Sequence, residues 1–194
     1  MKKYLMLISL TAIGIFAACN QPGNSDSTSS YPNAMVTKAD TIKRGKYLVT
    51  AMGCNDCHSA KSFGPNGPVL DTATLLGGYP SNRPIPKVQK PGGAPWVLFT
   101  PDLTAAVGPW GMSFAANISS DATGIGNWSE AQFFTALRKG KYKGMEGSRD
   151  LLPPMPWQGF SHLSDDDIRS IFQYLKSTKP VNNVVPSPIA PDKL

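Results

Sequence analysis

Cys54-Asn55-Asp56-Cys57-His58 constrains this chain more than any other stretch. Two cysteines three apart lie on one side of a helical turn. Thioether bonds from both sulfurs to one macrocycle then bring the next residue, His58, beneath its metal. This C-x-x-C-H spacing is the attachment signature of c-type haem. Haem iron carries single electrons, and the surrounding protein tunes it. Other readings of a bare C-x-x-C are a redox disulfide, half of a zinc site or a structural bridge. A redox motif of the thioredoxin kind follows a strand, whereas a helical pattern precedes this one. A zinc site needs further Cys or His ligands, and only Cys19 and His162 remain.

The chain start suggests where this chemistry takes place. Met1-Lys2-Lys3 is a short basic region, and residues 4–16 are mostly apolar but too few for an ordinary membrane span. Ala17-Ala18-Cys19 follows, so residues 1–18 read as a secretory signal. Phe16-Ala17-Ala18 before Cys19 resembles the lipobox of bacterial lipoproteins, with Phe16 where Leu is usual. Cys19 is therefore the expected lipidation site, and a plain signal peptide or an uncleaved anchor is the alternative. The chain has 3 Cys. With Cys19 lipidated and Cys54 and Cys57 on haem, none is left for a disulfide, although the exported compartment is oxidising.

Formal charge is +6 and falls to +4, 17 basic against 13 acidic residues, once Lys2 and Lys3 leave with the signal. So mild an excess does not argue for nucleic acid, and it suits a solvated surface or acidic redox partners. Residues 19–37 are rich in Ser, Asn, Pro and Gly and read as a flexible tether. The fifteen residues from Asn20 to Ala34 within it give an r.m.s. reach of about 20 Å. Residues 38–186 are expected to form one haem domain and residues 187–194 a C-terminal tail.

Three helices are expected. The first spans about residues 38–53, with Ile42, Gly45, Leu48, Val49 and Met52 at helical spacing. Gly45 costs such a helix about 1 kcal/mol against Ala, which implies a close neighbour. That neighbour is expected to be the last helix, about residues 165–177, with the stripe Ile168, Ile171, Phe172 and Leu175. Ser164 caps it with Asp167 as a capping-box variant, Leu163 and Ile168 form a hydrophobic staple, and Pro180 stops it. The third runs over residues 130–139, from Ser129 and Gln132 to Gly140, with Phe133, Phe134 and Leu137 inward. Residues 59–117 are Gly- and Pro-rich, and Leu75-Leu76 and Trp96-Val97-Leu98-Phe99-Thr100 are candidate short strands.

For the sixth iron position, Met155 stands in Leu151-Leu152-Pro153-Pro154-Met155-Pro156-Trp157, where prolines stiffen the chain. A stiff loop helps hold a weak thioether ligand. Met145, Met112 and His162 are rivals, and Met as core filler is the commoner use of the residue.

The chain resembles a class I monohaem c-type cytochrome, similar to the cytochrome c subunits of bacterial periplasmic dehydrogenases. The resemblance is carried by Arg44-Gly45-Lys46-Tyr47-Leu48-Val49, by Cys54 to His58, and by Asn117-Ile118-Ser119 with Thr123-Gly124-Ile125-Gly126-Asn127-Trp128. It continues in Ala136-Leu137-Arg138, Met155-Pro156-Trp157, Phe160, Leu163-Ser164-Asp165-Asp166-Asp167 and Tyr174-Leu175-Lys176. Residues 59–116 match poorly, and the single C-x-x-C-H contrasts with the two or three haem domains common in those subunits. The resemblance implies an all-α cytochrome c fold with terminal helices crossing over a covalent haem c, besides long loops and a short β-hairpin. It implies thioethers at Cys54 and Cys57, iron ligation by His58 and Met155, Gly45 packed against Tyr174, and Trp128 near a haem propionate. The expected function is a periplasmic or membrane-tethered single-electron carrier rather than an enzyme. A dehydrogenase donor and an oxidase or cytochrome acceptor are its expected partners. The alternatives are a dehydrogenase's cytochrome subunit and a gas-binding or peroxidatic haem protein.

Overall fold

The computed structural model describes residues 37–88 and 96–194. The expected export signal, Cys19 and nearly all of the expected tether lie outside those residues. Helix α1, Lys38–Ala51, starts at Thr37, whose side chain and that of Asp40 form a reciprocal capping box. Its apolar stripe buries Gly45, Leu48 and Val49. Helix α5, Asp165–Lys176, buries Ile168, Ile171, Phe172 and Leu175. A β-carbon on Gly45 would lie 1.9 Å from the Ser170 carbonyl oxygen and 2.7 Å from Tyr174 Cβ. The backbones of α1 and α5 therefore meet where only glycine fits, and Tyr174 is at that contact, as expected.

Helix α3, Glu130–Lys139, matches its expected bounds and carries the Ser129–Gln132 capping box. It ends at Gly140 in the left-handed region, and Phe133 stacks at 5.2 Å from Phe172 of α5. The core joins Leu48 and Val49 of α1, Leu76, Ile125, Phe133 and Leu137 of α3, and Ile168, Ile171, Phe172 and Leu175 of α5. At α5 the expected capping box is only half present. Ser164 accepts from the Asp167 N–H, but the Asp167 carboxylate turns to the Arg44 guanidinium at 2.9 Å. That hydrogen bond to a cation holds the Asp167 carboxyl below its ordinary range.

The segment between α1 and α3 holds more regular structure than its composition suggests. Short helix α2, Cys54–His58, is followed by the hairpin β1, Lys61–Gly64, and β2, Gly67–Leu70. A three-stranded antiparallel sheet follows, in the order β3, Leu98–Phe99, β4, Ala105–Gly108, and β5, Gly111–Phe114. The expected all-α fold is thus a helical core with five short strands among the described residues. Leu75-Leu76 is a turn rather than a strand, with Leu76 at φ 63 and its side chain in the core. Of the second candidate, only Leu98–Phe99 is a strand. The expected tail is pinned to the sheet, because Met112 and Ile189 exchange backbone hydrogen bonds at 2.8 and 3.0 Å. Short helix α4, Trp157–Phe160, precedes α5. Among the described residues no helix is long and apolar enough to cross a membrane.

Candidate functional site

The site begins where α1 stops. Gly53 takes φ 70, a left-handed conformation that lets the chain turn and restart at once as α2. One helical turn then carries Cys54, Cys57 and His58. Neither cysteine is in a disulfide. Burial pushes the Cys54 thiol up to about 11 and shifts Cys57 upward as well. A redox dithiol needs the opposite, a nucleophilic cysteine pushed down. The thioredoxin-like reading therefore lacks its electrostatics here as well as its preceding strand.

His58 Nδ1 lies 2.7 Å from the Ala116 carbonyl oxygen. A carbonyl only accepts, so Nδ1 carries the proton and the neutral ring presents its lone pair at Nε2. Burial also lowers the His58 pKa, which favours that neutral ring. The Gly78 N–H donates to the His58 carbonyl at 2.8 Å. Ser59 accepts from the Leu76 N–H at 2.8 Å and donates to Asn55 at 3.1 Å. Lys61 reaches back to the Asp56 and Ser59 carbonyls and across to that of Asp102. The turn bearing the three residues is therefore held on every side.

Cys54, Trp128 and Met155 are half-buried and pack on the same hydrophobic core. The Met155 loop is locally closed, its N–H donating to Leu152 at 3.3 Å and its carbonyl accepting from Trp157 at 2.9 Å. The Ser113 hydroxyl donates to the Pro153 carbonyl at 2.7 Å. Met155's rivals are placed differently. Met145 is 49% exposed, Met112 is buried at 4% inside β5, and His162 is exposed. Among the described residues no group of three or more His, Cys, Asp or Glu side chains is gathered to hold a metal ion.

Two adjacent thiols, an imidazole with its Nε2 lone pair presented and a thioether on the same core form a donor set that fits a covalently attached haem. Ala116, Ser113 and Lys61 were not evident as site residues beforehand. Ala116 acts through a backbone carbonyl, which every residue type supplies, and Ser113 acts through a contact between segments far apart in the chain.

A family model described as Cytochrome c matches residues 42–179, more than half of the chain. The fructose dehydrogenase cytochrome subunit of Gluconobacter japonicus is 32% identical over 150 residues, 76% of this chain and 23% of that protein. The alcohol dehydrogenase (quinone) cytochrome c subunit of Gluconobacter oxydans is 31% identical over 142 residues, 72% of this chain and 22% of its own. The gluconate 2-dehydrogenase cytochrome c subunit of Pantoea cypripedii is 29% identical over 134 residues, 69% of this chain and 22% of its own. The chain thus spans about a quarter of the length of these relatives.

Proposed function

This chain belongs to the cytochrome c family and carries haem c, and on that footing we propose that it is an exported single-electron carrier with one His/Met-ligated haem. Haem c supplies a one-electron couple between ferrous and ferric iron. Cys54 and Cys57 would hold the macrocycle by thioethers, beside the crossing of terminal helices α1 and α5. His58 Nε2 would bind the iron, while the Nδ1–H bond to Ala116 keeps the ring from turning and makes Nε2 a better donor. Met155 would supply the second iron ligand, and Trp128, on the same core, would lie beside the haem. Cys19 carries lipid, and residues 19–37 tether the domain to a membrane surface.

The observation that carries this reading is the oriented His58, with Cys54 and Met155 packed on one core. The relatives are cytochrome subunits of dehydrogenases, which supports a dehydrogenase as electron donor; we take the acceptor to be an oxidase or another cytochrome. Their names also favour a second reading, in which this chain is a fixed subunit of such a complex. A stoichiometric partner that stays bound through purification distinguishes the subunit from the free carrier.

The decisive experiment is the visible spectrum of the purified holoprotein and two variants. The ferric protein is expected to show the weak long-wavelength sulfur-to-iron band, and the ferrous protein to resist carbon monoxide. Met155→Ala should abolish the band and admit carbon monoxide, whereas His162→Ala should leave both unchanged. A native ferrous protein that binds carbon monoxide readily would overturn the closed carrier in favour of a gas-binding or peroxidatic site.

A further inference from the structure

β5 and the two residues after it touch both segments assigned to the iron. At one end Ser113, 8% exposed, donates its hydroxyl to the Pro153 carbonyl at 2.7 Å, two residues before Met155. At the other end the Ala116 carbonyl receives the His58 Nδ1–H at 2.7 Å. Ser113 and Ala116 are three residues apart, about 10 Å of extended chain.

The stretch between them is anchored on both sides. Ala106 of β4 pairs with Ser113, and Met112 is bonded in both directions to Ile189. Ala115 donates to Thr104 at 2.8 Å and accepts from the Tyr79 N–H at 3.0 Å. The Ser113 oxygen is itself held by the Trp110 indole N–H at 3.2 Å. The Trp110 ring lies against Gly108, where a β-carbon would come within 2.5 Å of it. The hydroxyl's single proton has two acceptors in reach, and the Pro153 carbonyl at 2.7 Å takes it in preference to the Ala106 carbonyl at 3.4 Å.

We propose that residues 113–116 form a strap that sets both axial ligand segments in one rigid frame, with Ser113 as the positioning residue for the Met155 loop. This rests on the reading of Met155 as the distal ligand. The strap belongs to the antiparallel sheet β3–β4–β5 and the two residues after it. Its role is kinetic and thermodynamic support for a weak bond. A loop tied at Pro153 cannot easily carry Met155 away, so outside ligands compete poorly for the position.

The test is imidazole binding to the ferric holoprotein, since imidazole must displace Met155. Losing one neutral hydrogen bond shifts such an equilibrium by about fivefold. Ser113→Ala should therefore bind imidazole about fivefold tighter and show a weaker sulfur-to-iron band. Trp110→Phe keeps an aromatic ring but loses the indole N–H donor, and it should shift both readouts in the same direction by less. Ser113→Thr retains the hydroxyl and should restore most of the difference. Ser164→Ala removes the α5 cap, a hydroxyl that accepts from Asp167 rather than bonding to the strap, and serves as a stability control. It should lower Tm and leave imidazole affinity unchanged.

A wild-type protein without the sulfur-to-iron band would overturn the Met155 reading and this proposal with it. A wild-type protein with the band, and a Ser113→Ala variant with wild-type band and affinity, would overturn the strap alone. Equal tightening in Ser164→Ala would also overturn it, because the effect would then be general loosening.

Discussion

His58 shows how much a single contact decides. Its sequence position makes it the expected iron ligand, but the Ala116 carbonyl determines which nitrogen is presented. The cysteines are the reverse case, since their chemistry is readable from spacing and the fold adds only burial. With both on one turn of α2, each is expected to form one thioether. The Cys54→Ala and Cys57→Ala double variant should lose all covalent haem on a denaturing gel stained for haem. Each single variant should retain at most one thioether and yield much less holoprotein. Undiminished covalent haem in the double variant would exclude attachment at this motif. Met155 stands between these cases. Proline spacing singled it out, and only the fold sets it on the core while leaving Met145 exposed and His162 in solvent.

Helices were legible because their signals are local. The Ser129–Gln132 capping box and Gly140 bound α3 at the expected residues, Glu130–Lys139. α1 ends at Ala51, shorter than periodicity suggests, because Gly53 must turn left-handed for α2 to start. Asp167 was misread for a physical reason. A capping carboxylate has two candidate partners, and a guanidinium from another helix outcompetes a backbone N–H. The strands were mostly illegible. They are two to four residues long, so no alternation of apolar and polar residues develops.

The α1–α5 crossing gives a sharp prediction at this scale. Gly45→Ala should gain helix propensity worth about 1 kcal/mol. It should lose more than that, because the new methyl meets the Ser170 backbone carbonyl rather than a movable side chain. Net destabilisation of roughly 2 kcal/mol or more is expected in denaturant unfolding of the holoprotein. An unchanged or raised midpoint would mean that the helices separate without cost.

At the scale of the whole molecule, the proposed tethering rests on one residue, Cys19. Cys19→Ser should release the protein from membranes into the soluble periplasmic fraction, because lipoprotein modification adds several acyl chains at one residue. Continued membrane association with residues 1–18 intact would identify that segment as an uncleaved anchor. The relatives extend far beyond the matched region, so a dehydrogenase partner must be sought by co-purification rather than read from this chain. What the sequence determined by itself was whatever depends on near neighbours: the attachment motif, the helix caps, the proline-stiffened methionine and the small residue where two helices touch. Tertiary structure alone decided the contacts that join distant segments. Those are Ala116 on His58, Ser113 on the Met155 loop, Arg44 on Asp167 and Ile189 on β5. The physical reason is that a backbone carbonyl or a lone hydroxyl carries no spacing pattern, and its partner is chosen only when the chain has folded.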